Sequence, residues 1–122
     1  MEKKEYSLEQ LQKIAAKFVE DRKWESHHNQ KNSSINIVRE ATELAELFIW
    51  TRTPEETAEQ AEKLRGAMED EAGDVLFALL CFCKYANVDL EKVFLNKVKK
   101  AEKKYPVEKS SYQDFNKIKY GS

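Results

Sequence analysis

Apolar residues recur every three or four positions along most of the chain, which is the period of an α-helix. The first such stretch predicts a helix from Leu8 to about Trp24, with a capping-box pattern of Ser7 and Gln10 at its start. Residues 25–34 are polar and show no period, so they predict a loop. The pattern thus predicts one amphipathic helix followed by a polar connection.

A second helix is predicted over residues 35–50, with Ser33 or Ser34 as its N-cap. Apolar residues lie on most sides of this helix, which is typical of a helix that is largely buried. They are Ile37, Val38, Ala41, Leu44, Ala45 and Phe48. Charged residues on such a helix are costly to bury, so each of them needs a specific explanation.

Two further helices complete the pattern. The third is predicted over residues 54–86, because Thr53 precedes a proline and two glutamates, and a bend is expected near Gly66. The fourth is predicted over residues 90–105, with Asp89 as its N-cap and a proline after its end. Four helices with short connections predict an all-α fold, a four-helix bundle.

Composition agrees with this fold class and narrows the function. The chain has 122 residues, of which 35% are charged and 41% hydrophobic, which predicts one domain over residues 1–122 with a loosely ordered tail at 107–122. The net charge of −1 argues against nucleic acid as a partner. No apolar run reaches the ~20 residues of a membrane span and no signal-peptide pattern is present, so we expect a cytoplasmic protein without membrane contact.

The two cysteines, Cys81 and Cys83, lie two positions apart on the third predicted helix. Residues at that spacing point about 200° away from each other, so the two thiols cannot form a disulfide together or share a metal ion. We expect both thiols to be reduced and buried in the core.

Carboxylates form stripes on two helices that are otherwise apolar. Glu40, Glu43 and Glu46 follow an i, i+3 spacing on the second helix, and the third helix repeats this spacing with Glu71 and Asp74. Several buried carboxylates raise the free energy of one another's charged forms, so such stripes require a source of positive charge.

Two sources of positive charge are compatible with these stripes. Arg39 can pair with Glu43 at a spacing of four residues, or a divalent cation can bind between the two helices. Carboxylate oxygens suit Mg²⁺ or Mn²⁺, and Mg²⁺ commonly takes substrate phosphates as further ligands. The second solution predicts a platform for a nucleoside triphosphate.

Basic and aromatic residues could supply the positive charge that phosphates need and a ring on which a base could stack. Lys97, Lys100 and Lys104 lie on one side of the fourth helix and either form a solvated basic face or reach phosphates. Trp24 and Trp50 lie near the ends of the first two helices, and Trp50 follows the acidic stripe. Their rings either pack in the core or stack on a base.

Four segments of the chain carry recognisable motifs in a fixed order. They are Asp21-Arg-Lys-Trp24-Glu25 with His28 and Asn32, Glu40-Ala-Thr-Glu43-Leu-Ala-Glu46-Leu-Phe-Ile-Trp50, Glu71-Ala-Gly-Asp74-Val-Leu, and Lys97 through Lys104-Tyr105-Pro106. Together they resemble the MazG-like all-α NTP pyrophosphatases, with the dCTP pyrophosphatase type as the closest group, over roughly residues 8–107. The resemblance implies a helical bundle whose site is completed by homo-oligomerisation, as a dimer or tetramer.

The resemblance also implies a role for each matching residue. The Mg²⁺ ligands would be Glu40, Glu43, Glu71 and Asp74. The base pocket would be formed by Trp24, His28 and Trp50, the phosphates would be contacted by Lys97 and Lys104, and the site would also be lined by Asn32 and Tyr105. The implied reaction is hydrolysis of a nucleoside triphosphate to the monophosphate and pyrophosphate, with Mg²⁺ as cofactor and Mn²⁺ as a substitute. We expect Glu43 or Glu46 to orient the attacking water or to take its proton.

Departures from the family pattern leave alternatives open. Ala101 stands where the family commonly has Asn, and Asn29-Gln30 replaces a more usual Gln-Pro, so the preferred base and sugar are open. A dUTPase-like enzyme, a phosphoribosyl-ATP pyrophosphohydrolase and a non-catalytic helical interaction module are the rival interpretations. A ferritin-like di-iron bundle needs two Glu-x-x-His motifs, and the chain has one, at Glu25 and His28.

Overall fold

The computed structural model describes residues 3–109 and 117–120. All regular structure within these residues is helical, which confirms the predicted all-α class. The helices are α1 (Leu8–Asp21), α2 (Gln30–Glu46), α3 (Pro54–Lys63), α4 (Arg65–Tyr85) and α5 (Leu90–Lys104), with short 3₁₀ turns at Glu25–His27 and Val107–Lys109. None of the described helices is long and apolar enough to cross a membrane.

The chain divides into two compact units, Met1–Val88 and Asp89–Ser122. In the first unit α4 packs against α1, α2 and α3. Its most buried side chains come mainly from α1 and α4, and they are Ala15, Ala16, Val19, Ser33, Ala78, Leu80, Cys81 and Cys83. Both cysteines are free and buried, as predicted.

The second unit contains α5, which begins after Asp89. The Asp89 carboxylate accepts a hydrogen bond from the Lys92 backbone N–H at 3.2 Å, as expected of an N-cap. Of the predicted loose tail, residues 107–109 form a 3₁₀ turn and residues 117–120 are helical. The rest of the tail lies outside the described residues.

Helix α1 starts and ends for local reasons. Ser7 and Gln10 form the predicted capping box, in which each side chain bonds the backbone N–H of the other residue. The helix ends at Asp21, three residues before the predicted end, because Lys23 adopts a left-handed conformation with φ 58°. The Trp24 N–H then donates to the Val19 carbonyl at 3.0 Å, which closes the turn.

Helix α2 starts five residues before the predicted position, so the prediction of a loop over 25–34 is wrong for its last residues. Asn29 is the N-cap, and its side-chain oxygen accepts from the Asn32 N–H at 2.8 Å. The predicted caps lie inside the helix, where Ser33 is buried and Ser34 donates to the Lys31 carbonyl at 2.9 Å. Asparagine is as good a cap as serine, and the polar residues after it are helical.

The third predicted helix is interrupted at Leu64 rather than bent at Gly66. Thr53 caps α3 as predicted, and its hydroxyl accepts from the Glu56 N–H at 3.1 Å. Leu64 leaves helical geometry, with φ −106° and ψ 26°, and α4 resumes directly after it. Gly66 lies in the first turn of α4, where a side chain would meet nothing within 4 Å.

The prediction that α2 is largely buried is wrong for this chain. Its side chains Ile35 and Val38 are 56% and 66% exposed, and Ser33 is the one residue of α2 that is fully buried. Helix α4 packs along one side of α2 and leaves apolar residues of its other side in solvent. A helix wheel identifies apolar positions, but it does not show how many neighbours cover them.

Candidate active site

Helices α2 and α4 bring four carboxylates together. Glu40 and Glu43 are one turn apart on α2, as are Glu71 and Asp74 on α4. One carboxylate oxygen from each residue lies within 4.8 Å of those of the other three. We call these four residues the carboxylate cluster. It corresponds to the set that the sequence predicts as metal ligands.

The cluster is strained electrostatically. Burial raises the pKa of Glu40 and of Glu71, and the neighbouring Glu43 raises both further. One oxygen of Glu40 and one of Glu71 are inaccessible to solvent and have no hydrogen-bond partner among the described residues. Desolvated, unpartnered carboxylate oxygens at this separation favour binding of a positive charge.

Basic side chains do not supply that charge in the described part of the chain. The side chain of Arg39 lowers the pKa of Glu40 only as the weakest of several influences, and it forms no ion pair with Glu43. The ion pairs among the described residues are Lys13–Glu9, Lys17–Asp21 and Arg65–Glu69. The cluster therefore has the donor set of a site for hard divalent cations such as Mg²⁺ or Mn²⁺.

Glu46 and Trp50 are not members of the carboxylate cluster. Helix α2 ends at Glu46, so Trp50 does not continue the acidic stripe as the sequence suggests. Trp50 is 86% exposed. It lines a depression of about 160 Å³ together with Glu46, Leu47, Thr51, Glu56 and Gln60. Glu46 and Trp50 are thus close together, as the sequence predicts. The turn after α2 brings them together, however, and not a shared helix face.

Trp24 belongs to an aromatic group on the surface of α1 and α4. Its ring meets the ring of Phe18 edge to face at 5.9 Å, and Phe18 meets Phe77 in the same way at 5.5 Å. Trp24 is nevertheless 47% exposed, which leaves area for a further contact. A role in base binding stays a prediction for this residue.

A cavity of about 250 Å³ lies beside the first turns of α2. It is lined by His27, His28, Asn32, Ser33 and Asn36. Two of these residues, His28 and Asn32, are predicted site residues. The sequence does not single out the other three, because uncharged polar residues are equally common in loops and caps. Only the cap at Asn29 shows that Ser33 and Asn36 belong to one helix.

His28 is held from behind by an aromatic ring of α4. Its imidazole stacks on the Tyr85 ring, with centroids 5.1 Å apart and an angle of 23° between the planes. Burial and the adjacent His27 lower the pKa of His28, so it is uncharged at neutral pH. Tyr85, the last residue of α4, contributes by stacking, and its buried hydroxyl has no described partner.

The predicted phosphate-binding residues lie in the second unit. Lys97 and Lys104 are exposed on α5, and Tyr105 ends that helix as its C-cap. The Lys104 ammonium lies 5.5 Å from the centre of the Tyr105 ring, which is a cation–π distance. Contact of these residues with phosphate stays a prediction.

Comparison with known proteins agrees with the motifs. The family described as the MazG nucleotide pyrophosphohydrolase domain matches residues 29–107. Human dCTP pyrophosphatase 1 is 32% identical over 122 residues, which cover 97% of this chain and 71% of the human protein. Rat dCTP pyrophosphatase 1 is 35% identical over 105 residues, which cover 84% of this chain and 61% of the rat protein.

A solved structure extends the agreement to the fold. A pyrophosphatase from Archaeoglobus fulgidus DSM 4304 superposes with a TM-score of 0.78 at 35% identity. The match covers 87% of this chain and 98% of the archaeal chain. The chain thus spans nearly the whole archaeal protein, but about three fifths of the length of the rat relative.

Proposed function

Because the chain belongs to the MazG nucleotide pyrophosphohydrolase family, we propose that it is a Mg²⁺-dependent nucleoside triphosphate pyrophosphatase. The observation that carries this proposal is the carboxylate cluster, in which oxygens of Glu40 and Glu71 are buried without a partner. The relatives named dCTP pyrophosphatase 1 make dCTP or a related deoxynucleotide the first substrate to test. Such an activity would remove unwanted nucleotides or control the dCTP pool.

The proposed reaction breaks the bond between the α-phosphorus and the oxygen that bridges to the β-phosphate. A water oxygen forms a new bond to the α-phosphorus, and the bridging oxygen leaves with pyrophosphate. The carboxylate cluster would hold Mg²⁺, which when bound supplies positive charge against the triphosphate oxygens.

Glu43 is the residue that we propose takes the proton from water, because it belongs to the cluster and influences both Glu40 and Glu71. Glu46 lies one turn further along α2 and is exposed, so it is the second candidate. Lys97 and Lys104 are proposed to contact the phosphates, and Trp24, His28, Asn32, Trp50 and Tyr105 to line the nucleotide site.

Exposed apolar side chains support the proposal of a homo-oligomer. On α2 and α4 these include Ile35 and Val38, and Leu76 and Phe77, which are 56%, 66%, 41% and 36% exposed. Patches of this kind are typical of protein–protein contacts. Light scattering on the purified protein would distinguish a monomer, a dimer and a tetramer.

The test of the function is a substrate panel with resolved products. The protein is incubated with each NTP and dNTP, and with phosphoribosyl-ATP, with Mg²⁺, with Mn²⁺ or with EDTA. We expect monophosphate and pyrophosphate in equal amounts, and no turnover in EDTA. Stepwise release of orthophosphate would contradict the proposal. A protein that cleaves nothing and shows no Mg²⁺-dependent thermal shift with nucleotide would be the non-catalytic module.

A further inference from the structure

Helix α3 holds the turn that follows α2 through two side-chain contacts. The amide nitrogen of Gln60 donates a hydrogen bond to the Leu47 carbonyl at 3.3 Å. The hydroxyls of Thr57 and Thr51 lie 2.6 Å apart, which is a hydrogen-bond distance. We call these two contacts the α3 clasp. Both are partly buried, so water competes for them less than it does for a bond at an exposed site.

The two threonines must be bonded to each other rather than merely close. The Thr51 hydroxyl also lies 2.9 Å from the Phe48 carbonyl. The Thr57 hydroxyl also lies 3.0 Å from the Thr53 carbonyl. Each hydroxyl has one proton, and two hydroxyl oxygens at 2.6 Å repel each other unless one donates to the other. One threonine therefore bonds its partner while the partner bonds a carbonyl, and either arrangement keeps the turn connected to α3.

The bond from Gln60 also completes the end of α2. Leu47 is the C-cap of that helix. The last carbonyls of a helix have no partner within it, so they need a donor from elsewhere. The Gln60 amide is that donor for the Leu47 carbonyl, and the bond fixes the point at which the turn leaves the helix.

Trp50 is the residue of this turn whose position depends most on the clasp. Its side chain is 86% exposed, and no aromatic pair among the described residues includes it. A packed side chain is held in place by its neighbours, whereas an exposed indole is located mainly by its backbone. The backbone of Trp50 lies between Leu47 and Thr51, the two residues of the turn that the clasp holds.

We propose that Thr57 and Gln60 are positioning residues that act on nucleotide binding through Trp50. The inference rests on the proposed function, in which Trp50 lines the nucleotide site. Neither Thr57 nor Gln60 belongs to the carboxylate cluster, so neither is a ligand of the metal ion. The clasp fixes the turn before the nucleotide binds, which reduces the entropy lost when the indole is ordered. Loss of the clasp should therefore weaken nucleotide binding and leave the chemical step unchanged.

The experiment measures KM and kcat separately for the best nucleotide of the substrate panel. Thr57→Val and Gln60→Met remove the hydrogen bonds and keep side chains of similar size, and Thr57→Ser is the matched control that keeps the hydroxyl. We expect each of the first two variants to raise KM by roughly fivefold, the effect of about one hydrogen bond, with kcat within twofold of wild type. Thr57→Ser should keep the wild-type KM. Partial unfolding would instead lower kcat and leave KM unchanged, because it removes active protein.

The same substitutions in a Trp50→Ala background show whether the clasp acts through the indole. Trp50→Ala alone should raise KM by roughly tenfold, because it removes an aromatic contact with the nucleotide. Without the indole, Thr57→Val and Gln60→Met should raise KM no further. If their effects add to that of Trp50→Ala, or if both keep the wild-type KM when Trp50 is present, the inference is wrong while the proposed function stands. If the wild type releases no pyrophosphate from any nucleotide, both are wrong.

A measurement without substrate follows the indole directly. Trp24→Phe leaves Trp50 as the only tryptophan of the chain, and the decay of its fluorescence anisotropy reports motion of the ring on the nanosecond timescale. In this background Thr57→Val and Gln60→Met should enlarge the fast component of the decay, and Thr57→Ser should not. An unchanged decay in both of the first two variants would contradict the inference, even if their KM values are raised.

Discussion

The two halves of helix α2 place polar groups on the same face but differ in charge. The first half presents Asn32, Ser33 and Asn36 to a neutral cavity, and the second half presents Glu40 and Glu43 to the carboxylate cluster. In both halves, buried polar atoms have no hydrogen-bond partner among the described residues. The cluster attracts a cation, whereas the cavity suits an uncharged hydrogen-bonding group.

The difference between the halves shows which kind of site can be predicted from a sequence. Carboxylates on an apolar helix stand out, because burying like charges is costly in any structure. Neutral amides and hydroxyls are equally common in loops, caps and turns. Their significance depends on whether a partner is present, which only the structure shows.

The largest effect is expected from the acidic half. Glu43→Gln should lower kcat for the best nucleotide by at least ~10²-fold, because it removes a ligand charge and the proposed proton acceptor. The matched control is Glu59→Gln on α3, where the glutamate is exposed and outside the cluster. Circular dichroism checks that both variants remain helical. Full activity in Glu43→Gln would contradict the proposal that the second half of α2 carries the catalytic residues.

The second expected effect is a pH dependence confined to the acidic half. The folded-state pKa values of Glu40 and Glu71 lie above their usual value of 4.5. Each residue therefore favours the folded state when protonated, and this contribution is lost as the pH rises through the folded pKa. Without metal, the melting temperature of the wild type should fall with rising pH, relative to a Glu40→Gln, Glu71→Gln double variant.

Thermal melts in EDTA from about pH 4 to 8 measure this difference. Addition of Mg²⁺ should raise the melting temperature of the wild type near neutral pH, and should not raise that of the double variant. Parallel curves for the two proteins across the whole range would contradict the assignment of strain to the cluster.

A smaller effect is expected in the amide half. Asn29→Ala removes the cap of α2 and should reduce the free energy of unfolding by about 1 kcal/mol. Asn29→Asp should retain most of the stability, because aspartate caps as well as asparagine. Urea unfolding measures both. The Mg²⁺ affinity should be unchanged, since the cluster lies three turns away, and a loss of affinity would show that the halves are not independent.

The smallest effect concerns the ring behind His28. Tyr85→Phe should change the free energy of unfolding by less than about 1 kcal/mol, in either direction, because the buried hydroxyl has no described partner to lose. Tyr85→Leu removes the stack on His28 and should be less stable than Tyr85→Phe. Equal urea midpoints for the two variants would show that the stack contributes nothing to stability.

Much of the fold was predictable, because caps and apolar spacing are local signals. Ser7, Thr53 and Asp89 were identified as caps, and each forms the expected hydrogen bond. The break at Leu64 was not predictable, because leucine favours a helix and the glycine two residues later was the stronger signal. The exposure of Val38 was missed as well, since burial depends on which neighbours a helix has.

The site was predictable to different degrees. The four cluster residues were selected from charge and spacing, and the structure places their oxygens together. The position of Trp50 was misjudged, because a helix wheel was extended four residues beyond the end of α2. The sequence predicts Ser33 only as a possible cap at the end of a loop, and Asn36 lies in the predicted second helix without a charge that would single it out. The binding roles of the predicted site residues, like those of the cluster, remain predictions.

The two cysteines have a practical consequence for experiments on this protein. Both thiols are buried, and burial raises the pKa of each, so few thiolates are exposed to reagents. The folded chain therefore offers a background that thiol-reactive dyes and spin labels scarcely modify. A single cysteine introduced at an exposed position, such as Lys31, would carry the label without removal of the native pair. The helix that joins the two polar sites can thus be followed spectroscopically in an otherwise unaltered protein.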